Sequence, residues 1–276
     1  MEDYFKSIRP YYDHEVPQAL QRIKKNSLIA AMLAYAFPND TEEERIARLL
    51  SCQTVADFQV SIMVQVVEKA IEKSMSGFTY EGFEHLDPSK AYVFISNHRD
   101  IILDSALLDT SLLNVALHRN GLGMTASAMG DNLLRKRHLK TLAMLNRNII
   151  IYRSLPPREA LEHSRLVSEY IHDCITHHRN VWLAQREGRT KNGDDRTQQG
   201  VLKMLSLSAP DDITPLQYLK QLHLVPMAIS YEFDPTDVLK LPALVAQHQG
   251  VAYVKSQKED FENIIQGLLG QKGRVH

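Results

Sequence analysis

A histidine that follows a short apolar run is the first candidate for chemistry in this sequence. The residues Tyr92–Ile95 are aromatic or β-branched and are bounded by polar residues, which predicts a buried strand. His98 comes just after this run, and Asp100 and Asp104 follow it. A neutral imidazole can take up a proton near neutral pH when a carboxylate fixes its tautomer. The spacing therefore predicts a general base at His98 with an acid partner in the same loop. The alternative is a loop whose acids cap a helix that begins at about Ile101.

Cationic side chains follow two later apolar runs. The segment NRNIIIYR ends an apolar run at Arg153, and the segment QREGRTK follows the run VWLA directly. Gly188 in the second segment allows close approach of the backbone. Guanidinium groups bind phosphate oxygens in forked pairs, so cations at two strand ends beside a histidine predict a phosphate or phosphoester site. The alternative for either loop alone is a solvated basic turn. The cations of the second segment are Arg186, Arg189 and Lys191.

Strand and helix patterns alternate through most of the chain. This alternation predicts an α/β fold with a mostly parallel sheet flanked by helices. Ligand crevices of such sheets lie at the carboxyl ends of the strands. Pro226, near the start of the last strand, is expected to shape a pocket wall. The predicted strands are Tyr92–Ile95, Met124–Ala128, Ile149–Tyr152, Val181–Ala184 and Leu224–Ser230.

The N-terminal part reads as helical from about residue 15 to 76. Thr41 and Glu44 have the spacing of a capping box, which predicts a helix beginning there. We predict an N-terminal helical subdomain at 1–80 and an α/β domain at 81–276. The segment Val16–Phe37 has an apolar face beside basic residues, which favours a platform for acyl chains or a membrane surface. The alternative is a helical hairpin packed on the main domain.

Composition and charge argue against some classes of function for this chain. The chain has 276 residues and a formal net charge of -1, and no part of it is strongly basic, so nucleic acid is not an expected partner. The first residues contain no secretory signal pattern. The longest near-apolar run, Leu28–Phe37, is about half of what a membrane-spanning helix needs. We therefore expect a cytoplasmic protein, at most peripheral on the membrane face.

No metal site is expected. Cys52 and Cys174 are far apart and lack metal-ligand spacing, which suits core thiols in a reducing compartment. A helix is predicted from about Glu159 to His178. The four-residue spacing that pairs two metal-ligating histidines on a helix is missing between His172 and either His177 or His178.

The order of the blocks resembles the glycerolipid acyltransferase superfamily, which includes glycerol-3-phosphate and 1-acylglycerol-3-phosphate acyltransferases. That family has a histidine and an aspartate five positions apart, an arginine ending an apolar run, an EGxR block and a Val-Pro strand. The resemblance covers about residues 85 to 235, and four weak blocks in the family order make it specific. The blocks here are SNHRDIILD, NRNIIIYR, REGRTK and VPMAISY.

Two blocks differ from the family pattern by one residue. Asp104 lies six positions after His98, and Asp100 lies two positions after it. The SALL that follows Asp104 favours it as the family aspartate. In the basic block Arg189 directly follows Gly188, so Arg186 or Glu187 takes the place of the family glutamate.

The resemblance implies an enzyme of phospholipid synthesis, an O-acyltransferase that needs no metal or other cofactor. The expected partners are an acyl thioester donor, acyl-CoA or acyl-carrier-protein, and a phosphate-bearing glycerolipid acceptor at a membrane surface. His98 would be the general base, with Asp104, or alternatively Asp100, holding its ring. The rival interpretation is a non-catalytic lipid- or phosphate-binding protein with the same fold. The other implied site residues are Arg153, Arg186, Arg189 and Lys191 for the phosphate, with Glu187, Gly188 and Pro226 in support.

Overall fold

A computed structural model of the chain describes residues 3–100, 111–134, 136–254, 256 and 259–276. The side chains of Ser111, Asp260 and Phe261 are outside this description. The predicted helix start at Ile101 and the candidate acid Asp104 lie outside the described residues.

Five helices form most of the N-terminal part. Thr41 Oγ accepts a hydrogen bond from the N–H of Glu44 at 3.2 Å, and the Glu44 carboxylate accepts one from the N–H of Thr41 at 2.7 Å. The predicted capping box is therefore confirmed. A π-helical segment, Gln59–Met63, separates the last two helices. The helices are α1 (Val16–Ile23), α2 (Ser27–Ala36), α3 (Glu42–Ser51), α4 (Val55–Phe58) and α5 (Val64–Ser74).

The apolar side of the first helix faces the protein interior. Val16, Leu20 and Ile23 of α1 are buried, as are Ile29 and Leu33 of α2. These residues share one core cluster with residues of the α/β part. These helices therefore pack on the α/β part, and the apolar face of α1 is not available as a platform. The domain boundary at residue 80 stays a prediction.

Five parallel strands form the main sheet in the order β4-β3-β5-β2-β6. Each strand overlaps a predicted one, because each is a short run of mostly apolar residues bounded by polar residues. The predicted fold class is confirmed: the protein is α/β, with parallel sheets flanked by helices. The strands are β2 (Val93–Ser96), β3 (Thr125–Gly130), β4 (Asn148–Ile151), β5 (Asn180–Ala184) and β6 (Leu224–Met227).

The helices of the α/β part follow its strands. The helix predicted from about Glu159 to His178 is present as α8. Cys174 of α8 and Cys52 are buried free thiols, and burial raises the pKa of each to about 11. The helices are α6 (Ser111–Arg119), α7 (Arg137–Leu145), α8 (Pro157–Thr176), α9 (Gln199–Leu205), α10 (Pro215–Gln221), α11 (Asp237–His248) and α12 (Glu259–Leu269).

A second sheet joins the C-terminal end of the chain to the N-terminal helices. It pairs β1 (Met75–Phe78) in parallel with β7 (Gly273–Val275). Lys272, just before β7, is fully buried. Its ammonium group donates hydrogen bonds to Ser74 Oγ at 3.1 Å and to the carbonyl of Gly270 at 2.8 Å. Burial lowers the pKa of Lys272 from 10.5 to about 8, although the Asp100 carboxylate opposes this shift.

The lowered pKa of Lys272 predicts how the free energy of unfolding depends on pH. Between pH 8 and 10.5 the unfolded chain binds more protons at Lys272 than the folded protein does, so this residue makes stability rise with pH in that window. The free energy of unfolding of the wild type should therefore increase relative to that of Lys272→Met as the pH is raised from 8 to 10.5. Urea denaturation at several pH values measures the difference. A difference that stays constant, or falls, would contradict the assignment.

Within the described ranges, no helix is both long and apolar enough to cross a membrane.

Candidate active site

The carboxyl ends of the main strands open onto one cavity of about 620 Å³. Ligand sites for small molecules commonly have volumes of a few hundred to about 1,000 Å³. Ser96 at the end of β2 is in register with Ala184 at the end of β5, and Gly130 of β3 is in register with Ile151 of β4. The loops that follow these strands therefore begin at one level of the sheet. This arrangement brings the histidine loop and both basic segments to the same cavity.

His98 lies in the cavity wall, with 9% of its surface exposed. Its ring meets the Trp182 indole edge to face, with the ring centroids 5.9 Å apart. The indole N–H donates to Ser96 Oγ at 2.9 Å, and this hydroxyl donates to the carbonyl of Asn97 at 2.8 Å. The Asn97 side chain in turn exchanges two hydrogen bonds with the backbone of Ile229, at 2.9 and 2.8 Å. The two residues before His98 are thus held by β5 and by the segment that follows β6.

The basic segment at 185–191 is hydrogen-bonded to the histidine loop. The N–H of Gln185 donates to the carbonyl of Ser96 at 2.8 Å, and that of Thr190 donates to the carbonyl of His98 at 2.8 Å. Gly188 has φ of 68°, and no atom would lie within 4 Å of a Cβ there. The expected close approach of a ligand to the Gly188 backbone stays a prediction, since no protein atom crowds this position. The glycine is needed because the turn uses the left-handed conformation.

Four cationic side chains line the cavity. Arg153 reaches it from the end of β4, across the sheet from His98. Three strand spacings separate β4 from β2, about 14 Å, so Arg153 and the basic segment approach a ligand from different sides. A guanidinium N–H of Arg189 donates to Asn263 Oδ1 at 3.0 Å. The cations are Arg153, Arg186, Arg189 and Lys191, and the acids in the same wall are Glu187 and Glu259.

Gly130 at the end of β3 leaves room for the Arg153 side chain. A Cβ at this position would lie 2.5 Å from Nε of Arg153 and 2.6 Å from Oδ1 of Asn132. The backbone N–H of Arg153 is also hydrogen-bonded to the Asp131 carboxylate, at 3.3 Å. The glycine therefore sets the path by which this guanidinium enters the cavity.

Gly130→Ala tests this dependence. The added methyl group should displace the Arg153 side chain and weaken, several-fold, the binding of the phosphate-bearing acceptor that the resemblance implies, with little change in the thermal unfolding midpoint. Gly123→Ala is the matched control, because a Cβ at Gly123 would meet only an ordinary contact with Asn180 at 3.8 Å. Titration of each variant with the acceptor gives the comparison. Equal affinity in the two variants would contradict the role assigned to Gly130.

A second histidine lies in the cavity wall but is held neutral. Nε2 of His163 accepts a hydrogen bond from the backbone N–H of Tyr152 at 3.0 Å. Burial lowers the pKa of His163, although Asp131 acts in the opposite direction. Because the hydrogen bond requires an unprotonated Nε2, this ring is not available to accept a proton there. His98 is the better placed of these two bases.

The C-terminal part of the chain supplies a wall that the sequence did not predict. Tyr253 and Glu259 both line the cavity, and the Tyr253 hydroxyl donates to the Glu259 carboxylate at 2.5 Å. The Lys191 ammonium lies 5.0 Å from the centre of the Tyr253 ring. No local pattern marks these residues, since they reach the site only through tertiary packing. Trp182 was detectable, as the only tryptophan, in the apolar run before the basic segment.

Comparison with models of protein families and with curated proteins finds no match to this chain.

Pro226 and Asp100 are not in the cavity wall. Pro226 lies in β6, the edge strand beside β2, and its side chain is exposed away from the lining residues. Pro226 does not line this cavity, and an edge strand is where a residue without an N–H is tolerated. Asp100 is 1% exposed and its carboxylate lies against Gly267 of α12. The other predicted site residues that the structure describes all line the cavity: His98, Arg153, Arg186, Glu187, Gly188, Arg189 and Lys191.

The cavity has an excess of positive charge and an apolar side. Four cations against two acids favour an anionic ligand. The apolar lining suits an alkyl or acyl group. Among the described residues, no group of three or more His, Cys, Asp or Glu side chains could hold a metal ion. The aliphatic and methionine lining residues are Ala128, Met129, Leu133, Ile151, Val167, Leu183, Ala184, Val201 and Met204.

Proposed function

We propose that this chain is an O-acyltransferase that moves a fatty acyl group from a thioester to a hydroxyl of a phosphate-bearing glycerolipid precursor. The observation that carries the proposal is that His98 and four cationic side chains line the same cavity. The resemblance of the four blocks to glycerolipid acyltransferases supports it. Glycerol 3-phosphate and lysophosphatidate are the proposed acceptors, and acyl-CoA or acyl-carrier-protein the proposed donors.

In this proposal His98 removes the proton from the acceptor hydroxyl. The hydroxyl oxygen attacks the thioester carbonyl, an ester bond forms and the carbon–sulfur bond breaks. The imidazolium then gives its proton to the leaving thiolate, which releases free thiol and restores the neutral base. No acyl-enzyme is required. The resemblance assigns Asp104 as the residue that orients the ring. The edge-to-face contact with Trp182 also restricts the ring's orientation.

The cations would hold the acceptor's phosphate while its hydroxyl faces His98. Arg153 enters from the β4 side, and Arg189 and Lys191 lie on the segment bonded to the histidine loop. Charge-assisted hydrogen bonds to phosphate are roughly twice as strong as neutral ones. Fixing both reactants in one cavity supplies orientation worth several kcal/mol of the barrier. The apolar side of the cavity would take the acyl chain.

The proposed location follows from the proposed substrates. We place the reaction in the cytoplasm, at the membrane face when the acceptor is a lipid. Phospholipid synthesis is the process in which such a transfer takes part.

The test is release of free thiol from acyl-CoA and from acyl-carrier-protein by the purified protein. Each donor is offered alone, with glycerol 3-phosphate and with lysophosphatidate. The proposal expects release that depends on one of these acceptors. Binding of the phosphorylated compounds without release from either donor would favour the non-catalytic binding protein instead.

A further inference from the structure

The basic segment at 185–191 is held from a second direction, by the C-terminal part of the chain. A guanidinium N–H of Arg189 donates to Oδ1 of Asn263 in α12 at 3.0 Å, and these two residues are 74 positions apart in the sequence. The Lys191 ammonium lies 5.0 Å from the centre of the Tyr253 ring. Arg189, Lys191 and Tyr253 all line the cavity. The basic segment and the start of α12 therefore form one side of the cavity together.

The side chain of Asn263 is fixed in one orientation. It is 1% exposed, and its Nδ2 donates to the carbonyl of Glu259, one helical turn earlier, at 2.7 Å. An amide group has an acceptor on one side and donors on the other. Only one orientation of this amide therefore satisfies both the Glu259 carbonyl and the Arg189 guanidinium. Oδ1 of Asn263 is thus a fixed acceptor beside the cavity.

The group that holds Arg189 carries no charge. Among the residues that the structure describes, Arg189 is hydrogen-bonded to an amide oxygen and to no carboxylate. Arg196 and Arg179 differ, because Asp194 and Asp173 pair with them, each at 2.6 Å. A carboxylate partner neutralises a guanidinium, whereas an amide oxygen fixes its position and leaves the positive charge to attract an anion.

A single bond to Asn263 also leaves Arg189 able to bind a ligand. A guanidinium group is planar and has five N–H donors in a fixed fork. A hydrogen bond from one nitrogen restricts the plane of the group, and the remaining donors can meet two oxygens of a phosphate. The contact with Asn263 therefore suits an arginine that is ordered before its ligand arrives.

We propose that Asn263 is a positioning residue for Arg189 and that its neutral amide makes the cavity selective for a phosphate-bearing ligand. The inference rests on the proposed function in one respect, the assignment of Arg189 to the phosphate. A carboxylate at position 263 would keep an acceptor beside Arg189 and cancel its charge. A methyl group there would leave the charge and remove the acceptor. Asn263→Asp and Asn263→Ala therefore test the charge and the position of the guanidinium separately.

The first experiment measures binding by calorimetry, with glycerol 3-phosphate or lysophosphatidate, whichever the wild type binds more tightly. In Asn263→Asp the dissociation constant should rise about tenfold or more, because a charge-assisted hydrogen bond to phosphate is weakened. In Asn263→Ala it should rise about two- to tenfold, the effect of having to order one long side chain on binding. Wild-type affinity in folded Asn263→Asp would overturn the proposal. So would a wild type that binds neither compound.

Both variants need a check of folding, which the thermal unfolding midpoint provides. Asn263→Asp loses the hydrogen bond to the Glu259 carbonyl, whereas alanine favours a helix more than asparagine does. The matched control is Asn120→Ala. The Asn120 amide also donates to a carbonyl four positions earlier, that of Ala116, at 2.7 Å, and Asn120 is not among the cavity-lining residues. This variant should bind as the wild type does. An equal loss of affinity in Asn120→Ala and Asn263→Ala would overturn the proposal.

A double-mutant cycle shows whether Asn263 acts through Arg189. Arg189→Ala alone should raise the dissociation constant about ten- to a hundredfold. Adding Asn263→Ala to Arg189→Ala should change it by no more than about twofold, because the residue that Asn263 positions is already gone. If Asn263→Ala weakens binding by the same factor with and without Arg189, the proposal is overturned. The cycle does not use Asn263→Asp, so it decides the question even if that variant fails to fold.

Selectivity is measured in the transfer assay with the matching compound that lacks the phosphate, glycerol or a monoacylglycerol. Asn263→Asp should lower kcat/KM for the phosphorylated acceptor relative to this compound by about tenfold. An equal fall for both compounds would indicate a general disturbance of the site and would overturn the proposal. The binding experiments need no turnover. If the wild type binds the phosphorylated compound but transfers no acyl group, the proposed transfer fails, and the cycle still tests the role of Asn263.

Discussion

His98→Ala should lower acceptor-dependent thiol release by about a hundred- to ten-thousandfold, the usual contribution of a general base. Without the imidazole, no described side chain in the cavity is as well placed to take the hydroxyl proton, because the other histidine, His163, already accepts a backbone hydrogen bond. Binding of a phosphorylated acceptor should remain within about twofold of wild type, since the cations are unchanged. Steady-state kinetics and calorimetric titration with the acceptor give the two quantities.

The control for this variant is the same substitution at a different histidine, one that lies outside the cavity. The side chain of His85 is 82% exposed, and His85→Ala should leave both quantities unchanged. Turnover that survives in His98→Ala would contradict the general-base role. A parallel loss of turnover and acceptor affinity would mean that His98 binds rather than catalyses.

Arg153→Ala should raise KM for the phosphorylated acceptor by about ten- to a hundredfold. A hydrogen bond to a charged group is worth about 1.5–3 kcal/mol, and each 1.4 kcal/mol is tenfold in affinity. Arg153→Lys should recover only part of the affinity, because an ammonium group lacks the forked geometry of guanidinium. The increase in KM caused by Arg153→Ala should be smaller when the acceptor has no phosphate. Kinetics with glycerol as the acceptor provide this comparison.

A variant of a second arginine, Arg196, shows whether the effect on KM depends on a charge in the cavity or on the net charge of the protein. Arg196 is 88% exposed, pairs with Asp194 and is not among the cavity-lining residues. Arg196→Ala should leave KM unchanged at moderate ionic strength. If Arg196→Ala and Arg153→Ala weaken binding equally, the effect is one of net charge, and the assignment of Arg153 to the phosphate fails.

The strands of the main sheet could be predicted from the sequence because the pattern that indicates each strand lies within a short stretch of residues. Each strand of that sheet is a run of four to six mostly apolar residues, and polar or basic residues follow β2, β4 and β5 within two positions. Parallel strands bring such followers together, which explains why His98, Arg153 and the basic segment were predicted as one site. The same logic could not show that Pro226 lies in the edge strand and outside this cavity, since an edge position looks like any other strand position in the sequence.

The C-terminal contribution could not be predicted from the sequence. Strand β7 pairs with β1 across about two hundred residues, and no local pattern encodes such a pairing. Gly267 carries no sequence signal, and only the fold brings it against Asp100. From the sequence, Asp100 was expected either to hold the imidazole of His98 or to cap a helix, because only its neighbours along the chain were known. The structure instead shows its carboxylate against α12.

The most direct test of the account is a single-turnover reaction with a thioester labelled in its acyl group. Wild-type protein in excess over the donor is mixed with glycerol 3-phosphate or lysophosphatidate, and the label is followed in lipid and in protein. Direct transfer predicts that the label appears as an ester of the acceptor at the rate of thiol release, with none bound to the protein. If the label stays in the thioester while the acceptor is bound, the proposed acyltransferase activity is contradicted. Label that accumulates on the protein would contradict general-base transfer without an acyl-enzyme.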